Sequence, residues 1–210
     1  MIAFYGAALL LSLSPGPDNL FVLMQSMQRG WRVGMAVVVG LLLGVLCHTV
    51  AVALGLAAVV AASPMAFDVL KWCGAAYLLY LAWGAWRAPV QAAEMESAAR
   101  AVQPLSVKAY ASLVLRGVVM NVTNPKVLIF FLAFLPQFAD PARGHVAWQV
   151  VVLGITFILA ALPVFGGLAI FSGVFGQWLM GSVRAQWWLN KITSVVFVGL
   201  ALRLATVQKG

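Results

Sequence analysis

Acidic residues are scarce in this chain: five Asp and Glu in 210 residues, against thirteen Lys and Arg. Cysteine and histidine are scarcer still, two of each. Cys47 and Cys73 both lie inside apolar runs and are too few for a disulfide framework or a metal cluster. The absence of His-rich or acidic tracts counts against a transition-metal transporter, and neither a metal nor a cofactor is expected. Alternating polar positions over about ten residues, the mark of an outer-membrane strand, are also missing.

What fills the sequence is apolar: 64% hydrophobic residues, 9% charged, and a mean hydropathy of +1.02. That balance excludes an ordinary soluble domain. Apolar runs of about 20 residues recur, the length an α-helix needs to cross roughly 30 Å of hydrocarbon. The fold class expected is an all-α integral membrane protein. The net charge of +8 does not point to nucleic acid, because the basic residues stand singly at the ends of apolar runs, as membrane orientation requires. Met1 to Leu13 has no basic residue before it and no small-residue cleavage site, so it reads as half of a retained helix, not a signal peptide.

Six spans are expected, over residues 2–27, 34–62, 67–87, 111–136, 147–172 and 186–207. The longest polar interval, with Glu94, Glu96 and Arg100, divides them into a first three-helix repeat (1–87), a cytoplasmic linker (88–109) and a second three-helix repeat (110–210). Three crossings per half oblige the second half to enter the membrane from the opposite side, the geometry of an inverted repeat. "GPDNLFVL" from Gly16 and "NPKVLIFF" from Asn124 open the corresponding spans, and aligning Pro17 with Pro125 sets Asp18 opposite Lys126. Arg29, Arg32, Arg87, Arg100, Lys108, Arg116, Arg184 and Lys191 fall on one side, and Lys71, Arg143, Arg203 and Lys209 on the other. The richer side is assigned to the cytoplasm, with both termini periplasmic.

Pro15 and Pro17, with Gly16 between them, should break the first span. Proline is well suited to the first turn of a new helix. Ser14 or Gly16 before Pro17, and Asn124 before Pro125, are capping types. Two half-helices would then begin at mid-membrane with their positive ends facing inward. At a rise of about 1.5 Å per residue, Asp18 and Lys126 fall within roughly 5 Å of the midplane. A charge there costs on the order of 3 kcal/mol. One reading is a structural ion pair; the other is a cavity for a zwitterion, Asp18 facing its ammonium and Lys126 its carboxylate.

Asn19, Asn121 and Thr123 either complete a polar lining or satisfy loosened backbone. His48, mid-span, is either a helix-contact residue or a proton-coupling group beside Asp18. Gly40 and Gly44 form a GxxxG spacing. Tyr77 and Tyr80 read as packing residues, Pro163 with Gly166 and Gly167 as a bend, and Arg116 as a snorkelling end residue. The Trp residues mark span ends.

"SPGPDNLFVL", the stretch through His48, "GAAYLLYLAW", "NVTNPKVLIFFLAFLPQF" and "NKITSVVFVGLALRLA" together resemble the lysine-exporter (LysE/RhtB) family of amino-acid efflux proteins over nearly the whole chain. The resemblance implies a transporter, not an enzyme, that exports amino acids or close derivatives across the bacterial inner membrane in exchange for protons. Its motif positions carry over to Pro17, Asp18, Asn19, Asn124, Pro125 and Lys126. The scarcity of intramembrane acids besides Asp18 disfavours a strongly cationic substrate. The rivals are a thiol redox carrier using Cys47 and Cys73, and a non-transporting scaffold or channel. Oligomeric state is left open, a homo-oligomer included.

Overall fold

The computed structural model describes residues 1–14, 16–62, 64–88, 105–172 and 182–206. Pro15, Lys209 and the linker residues Glu94, Glu96 and Arg100 lie outside these, as do the side chains of Lys71 and Arg203. Among the described residues all regular structure is helical. The helices are α1 (Ile2–Leu13), α2 (Pro17–Arg29), α3 (Trp31–Ala62), α4 (Pro64–Arg87), α5 (Val107–Thr123), α6 (Pro125–Ile129), α7 (Val146–Ile170) and α8 (Val183–Thr206).

Both expected breaks are present. The axes of α1 and α2 diverge by 57°, and α5 diverges by 53° from the segment Pro125–Phe138 that follows it. The cause is local: proline donates no backbone hydrogen bond and its ring collides with the carbonyl four residues back. Each bent pair is apolar and long enough to be one broken span, and α3 and α7 are single helices with that capacity. The two remaining long helices, α4 and α8, have 24 residues each. Pro163 lies inside α7, which continues through it to Ile170.

Side chains are distributed inside out relative to a soluble protein. Asp18, Asn19, His48, Asn121, Asn124 and Lys126 are buried, while Val39, Leu43, Val50, Leu54, Val195 and Leu202 face outward. This is the arrangement hydrocarbon imposes, and the chain is an integral membrane protein. Trp72, Trp83, Trp86, Trp148, Trp187 and Trp188 are exposed. Where α4 ends and α8 begins, Lys191 Nζ stands 3.3 Å from the centroid of Trp86 and Arg87 Cζ 4.2 Å from that of Trp83.

Lipid removes most of the hydrophobic drive between helices, so close backbone approach matters more. α3 packs along α5, and a Cβ on Gly117 would lie 2.5 Å from Val37 O and 2.9 Å from Gly40 Cα. Beyond Pro125 the helix widens into one π-turn, Phe130–Phe134, and tightens into a 3₁₀ turn, Leu135–Phe138. The wide turn brings the adjacent Phe130 and Phe131 both into the core, each fully buried. Phe130 meets Phe4 of α1 at 5.8 Å and Phe157 of α7 at 5.5 Å between ring centroids, which ties the second break to both neighbours.

Candidate functional site

Two prolines fix which backbone carbonyls lose their helical donors. Pro125 has no N–H to offer Asn121 O, and Pro15 has none for Leu11 O. Both carbonyls accept from side chains elsewhere in the chain, Asn121 O also from the Asn124 N–H at 3.1 Å. His48 of α3 donates from Nε2 to Asn121 O at 3.2 Å, and Lys126 of α6 donates from Nζ to Leu11 O at 3.0 Å. A carbonyl can only accept, so the His48 bond puts a proton on Nε2. The His48 ring also stacks on Phe131, centroids 5.5 Å apart.

Lys126 donates a second bond, to Ser14 O at 2.9 Å, and Asn19 Nδ2 reaches back to Ser12 O at 2.7 Å. The end of α1 is thus closed by side chains from the first turns of α6 and α2. The reciprocal contact runs the other way: Asp18, in the first turn of α2, accepts from Asn121 Nδ2 in the last turn of α5 at 3.2 Å. Each new half-helix therefore reaches the terminus of the other broken helix. Asp18 and Lys126 are 2% and 9% exposed, yet no direct ion pair joins them. The two charges do not touch: each is hydrogen-bonded to neutral groups, amide or carbonyl, of the opposite break.

Capping differs at the two starts. Asn124 caps α6 as expected, its Oδ1 accepting from Lys126 N at 3.0 Å. At α2 the cap residue is Gly16, which makes no side-chain bond, and Ser14 instead closes α1. A Cβ on Gly16 would sit 3.2 Å from Lys126 Nζ, so the missing side chain leaves room for the ammonium. On α3, a Cβ at Gly44 would be 2.6 Å from Asn121 Cβ, so Gly44 lets Asn121 seat against the helix.

These bonds orient the three Asn side chains at the breaks. Asn121 gives Nδ2 to a carboxylate, Asn19 gives Nδ2 to a carbonyl, and Asn124 gives Oδ1 to an N–H. What remains is a set of buried polar atoms without partners: Asp18 Oδ1, Asn19 Oδ1 and Asn121 Oδ1 as acceptors, Asn124 Nδ2 as donor, and the Ser14 hydroxyl as either. Unpartnered buried polar groups are costly and rare in structural cores. Lys126 also keeps one of its three N–H groups.

Other expected residues stand apart. Thr123 is exposed and bonds back to Val119 O at 2.7 Å, satisfying its own helix. Tyr80 is exposed and its ring lies 5.8 Å from that of Tyr77. Cys47 and Cys73 are free and exposed, which does not favour the redox-carrier reading. Arg116 is not at a helix end. α5 begins at Val107, and Arg116 lines a cavity with Arg29, a feature no local pattern indicated.

An uncharacterised membrane protein of Vibrio cholerae is 34% identical over 210 residues, covering 99% of this chain and 97% of its own. A homoserine/homoserine lactone efflux protein of Salmonella typhimurium is 32% identical over 206 residues, covering 98% and 96%. A leucine efflux protein of the same species is 30% identical over 202 residues, covering 96% and 92%. No solved structure matches the chain. The family described as LysE type translocator matches residues 9–208. On that match and on relatives similar from end to end, the chain belongs to the LysE type translocator family.

Proposed function

We propose that the protein is a secondary active transporter that exports amino acids or close derivatives across the bacterial inner membrane, in exchange for protons, by alternating access around the two helix breaks. The observation that carries this reading is the set of unpartnered polar atoms at the breaks. Three acceptor oxygens, on Asp18, Asn19 and Asn121, suit the three N–H donors of an α-ammonium group. The remaining Lys126 N–H, Asn124 Nδ2 and the Ser14 hydroxyl suit a carboxylate, supported by the positive ends of α2 and α6. Homoserine, homoserine lactone and leucine, named for the relatives, share the ammonium group, which makes the acceptor set the common recognition element.

Six crossings in two inverted three-helix repeats accommodate this site. The reciprocal reach of Lys126 to Leu11 and Ser14, and of Asp18 to Asn121, supports the twofold relation. So does the pairing of α3 with α7 and of α4 with α8. In the proposed cycle, substrate and proton compete for the polar links between the two breaks, and the halves rock as these links exchange. Asp18 and His48 Nδ1 are the proton-binding groups. The membrane potential supplies about 2.3 kcal/mol per charge per 100 mV, so one proton per cycle drives export.

Cells preloaded with labelled homoserine or leucine test the reading. Saturable efflux that an uncoupler stops is expected. Unsaturable leakage would mean a channel, and no efflux of any amino acid in a broad panel would remove the transport reading.

A further inference from the structure

A second polar site lies between α2 and α5, the two helices joined at the break by Asp18 and Asn121. A cavity of about 220 Å³ is lined by Gln25, Arg29, Ser112 and Arg116, with Ala109 and Leu113. Gln25 lies seven residues beyond Asp18 and Arg116 five before Asn121, about 10 Å and 7 Å along their axes. The cavity therefore opens on the same seam as the polar cluster, toward the end where α2 stops and α5 starts.

Two guanidinium groups share this small space, and no acidic side chain is among its lining residues. The planar donor forks of Arg match an oxyanion with two oxygens, so two of them lining one cavity favour an anion there. Gln25 lines the cavity, and its side-chain carbonyl oxygen, with no accessible surface of its own, has no partner and is free to turn toward a ligand there. It is an acceptor, and suits the opposite charge. Two anion-binding forks with an acceptor beside them have the polarity of a zwitterion, and the volume is adequate for a small amino acid.

We propose that this cavity is a vestibular subsite for the transported amino acid, Arg29 and Arg116 holding its carboxylate and Gln25 its ammonium before it moves along the α2–α5 seam to the breaks. The inference rests on the transport reading for the identity of its ligand. Its charge selectivity does not.

In a Cys47→Ser, Cys73→Ser background, Ser112→Cys places a thiol on the cavity wall. With the protein in phosphatidylcholine nanodiscs, modification by the anionic sulfonatoethyl methanethiosulfonate is compared with that by its cationic trimethylammonioethyl counterpart. The rate ratio cancels any effect of the arginines on the thiol itself. The anionic reagent is expected to react faster by about tenfold. Arg29→Gln with Arg116→Gln should erase the preference, and Arg29→Lys with Arg116→Lys should retain it. L-homoserine or L-leucine should slow labelling, and homoserine lactone, which has no carboxylate, should not.

A ratio near one, or one unmoved by the Gln variants, would overturn the proposal. So would protection by added phosphatidylglycerol with none by the amino acids, which would make this a lipid-phosphate site. Efflux from preloaded cells is read separately. Export without anion selectivity removes the subsite alone, and selectivity without export removes the transport reading and with it the subsite's place in transport, leaving only an anion site.

Discussion

The Lys126 ammonium lies 2.9 Å from the carbonyl oxygen of Ser14, across 112 residues of sequence, so the cation that opens α6 closes the end of α1. A second bond from the same nitrogen, to Leu11 O at 3.0 Å, makes Lys126 the joint between the two broken helices. Its replacement has two consequences, one structural and one functional.

Lys126→Met should abolish efflux and lower thermal stability, because two buried carbonyls lose their charged donor, a loss of about 1–3 kcal/mol. The double variant with Asp18→Asn should be no better, since the two side chains are held by different partners. Near-normal efflux by the double variant would restore the simple ion pair. Melting in detergent and efflux from preloaded cells give the two readings.

His48 donates through Nε2 to Asn121 O, so Nδ1 is the nitrogen on which the proposed proton coupling depends. His48→Ala should flatten the dependence of efflux on external pH. An unchanged profile would leave Asp18 as the sole coupling group.

Gly44 determines where Asn121 sits. Gly44→Ala introduces a Cβ into occupied space and should cost about 1–3 kcal/mol as overpacking, with a parallel loss of transport. Gly55→Ala, on the same helix, meets nothing within 4 Å and should be neutral or slightly stabilising. Paired melting curves check the contrast.

Cys47 and Cys73 face outward from α3 and α4. Cys47→Ser with Cys73→Ser should leave efflux intact. Loss of activity in that variant would revive thiol chemistry.

Both breaks were legible in the sequence because proline acts locally: its missing N–H and its ring interrupt a helix wherever it stands. The Asn124 cap and the packing role of Gly40 and Gly44 were legible for the same reason, each being a rule about one turn or one spacing. The partners of Lys126, Asp18 and His48 were not. They lie between 73 and 115 residues away, and the packing of α3 on α5 decides them. The apolar run that opens the fourth span at residue 111 makes Arg116 look terminal, whereas α5 begins at Val107 and carries Arg116 in its interior. The π-turn at Phe130–Phe134 left no signal beyond a run of aromatics, which an ordinary helix also accommodates.

The most direct measurement is proton-driven amino-acid transport in membrane vesicles with Asp18→Asn beside the unchanged protein. The substitution keeps size and shape and removes a buried carboxylate whose Oδ1 is among the unpartnered acceptors at the breaks. The variant should reach the membrane in normal amount and carry no substrate against a gradient, and full uphill transport without that carboxylate would contradict the site described.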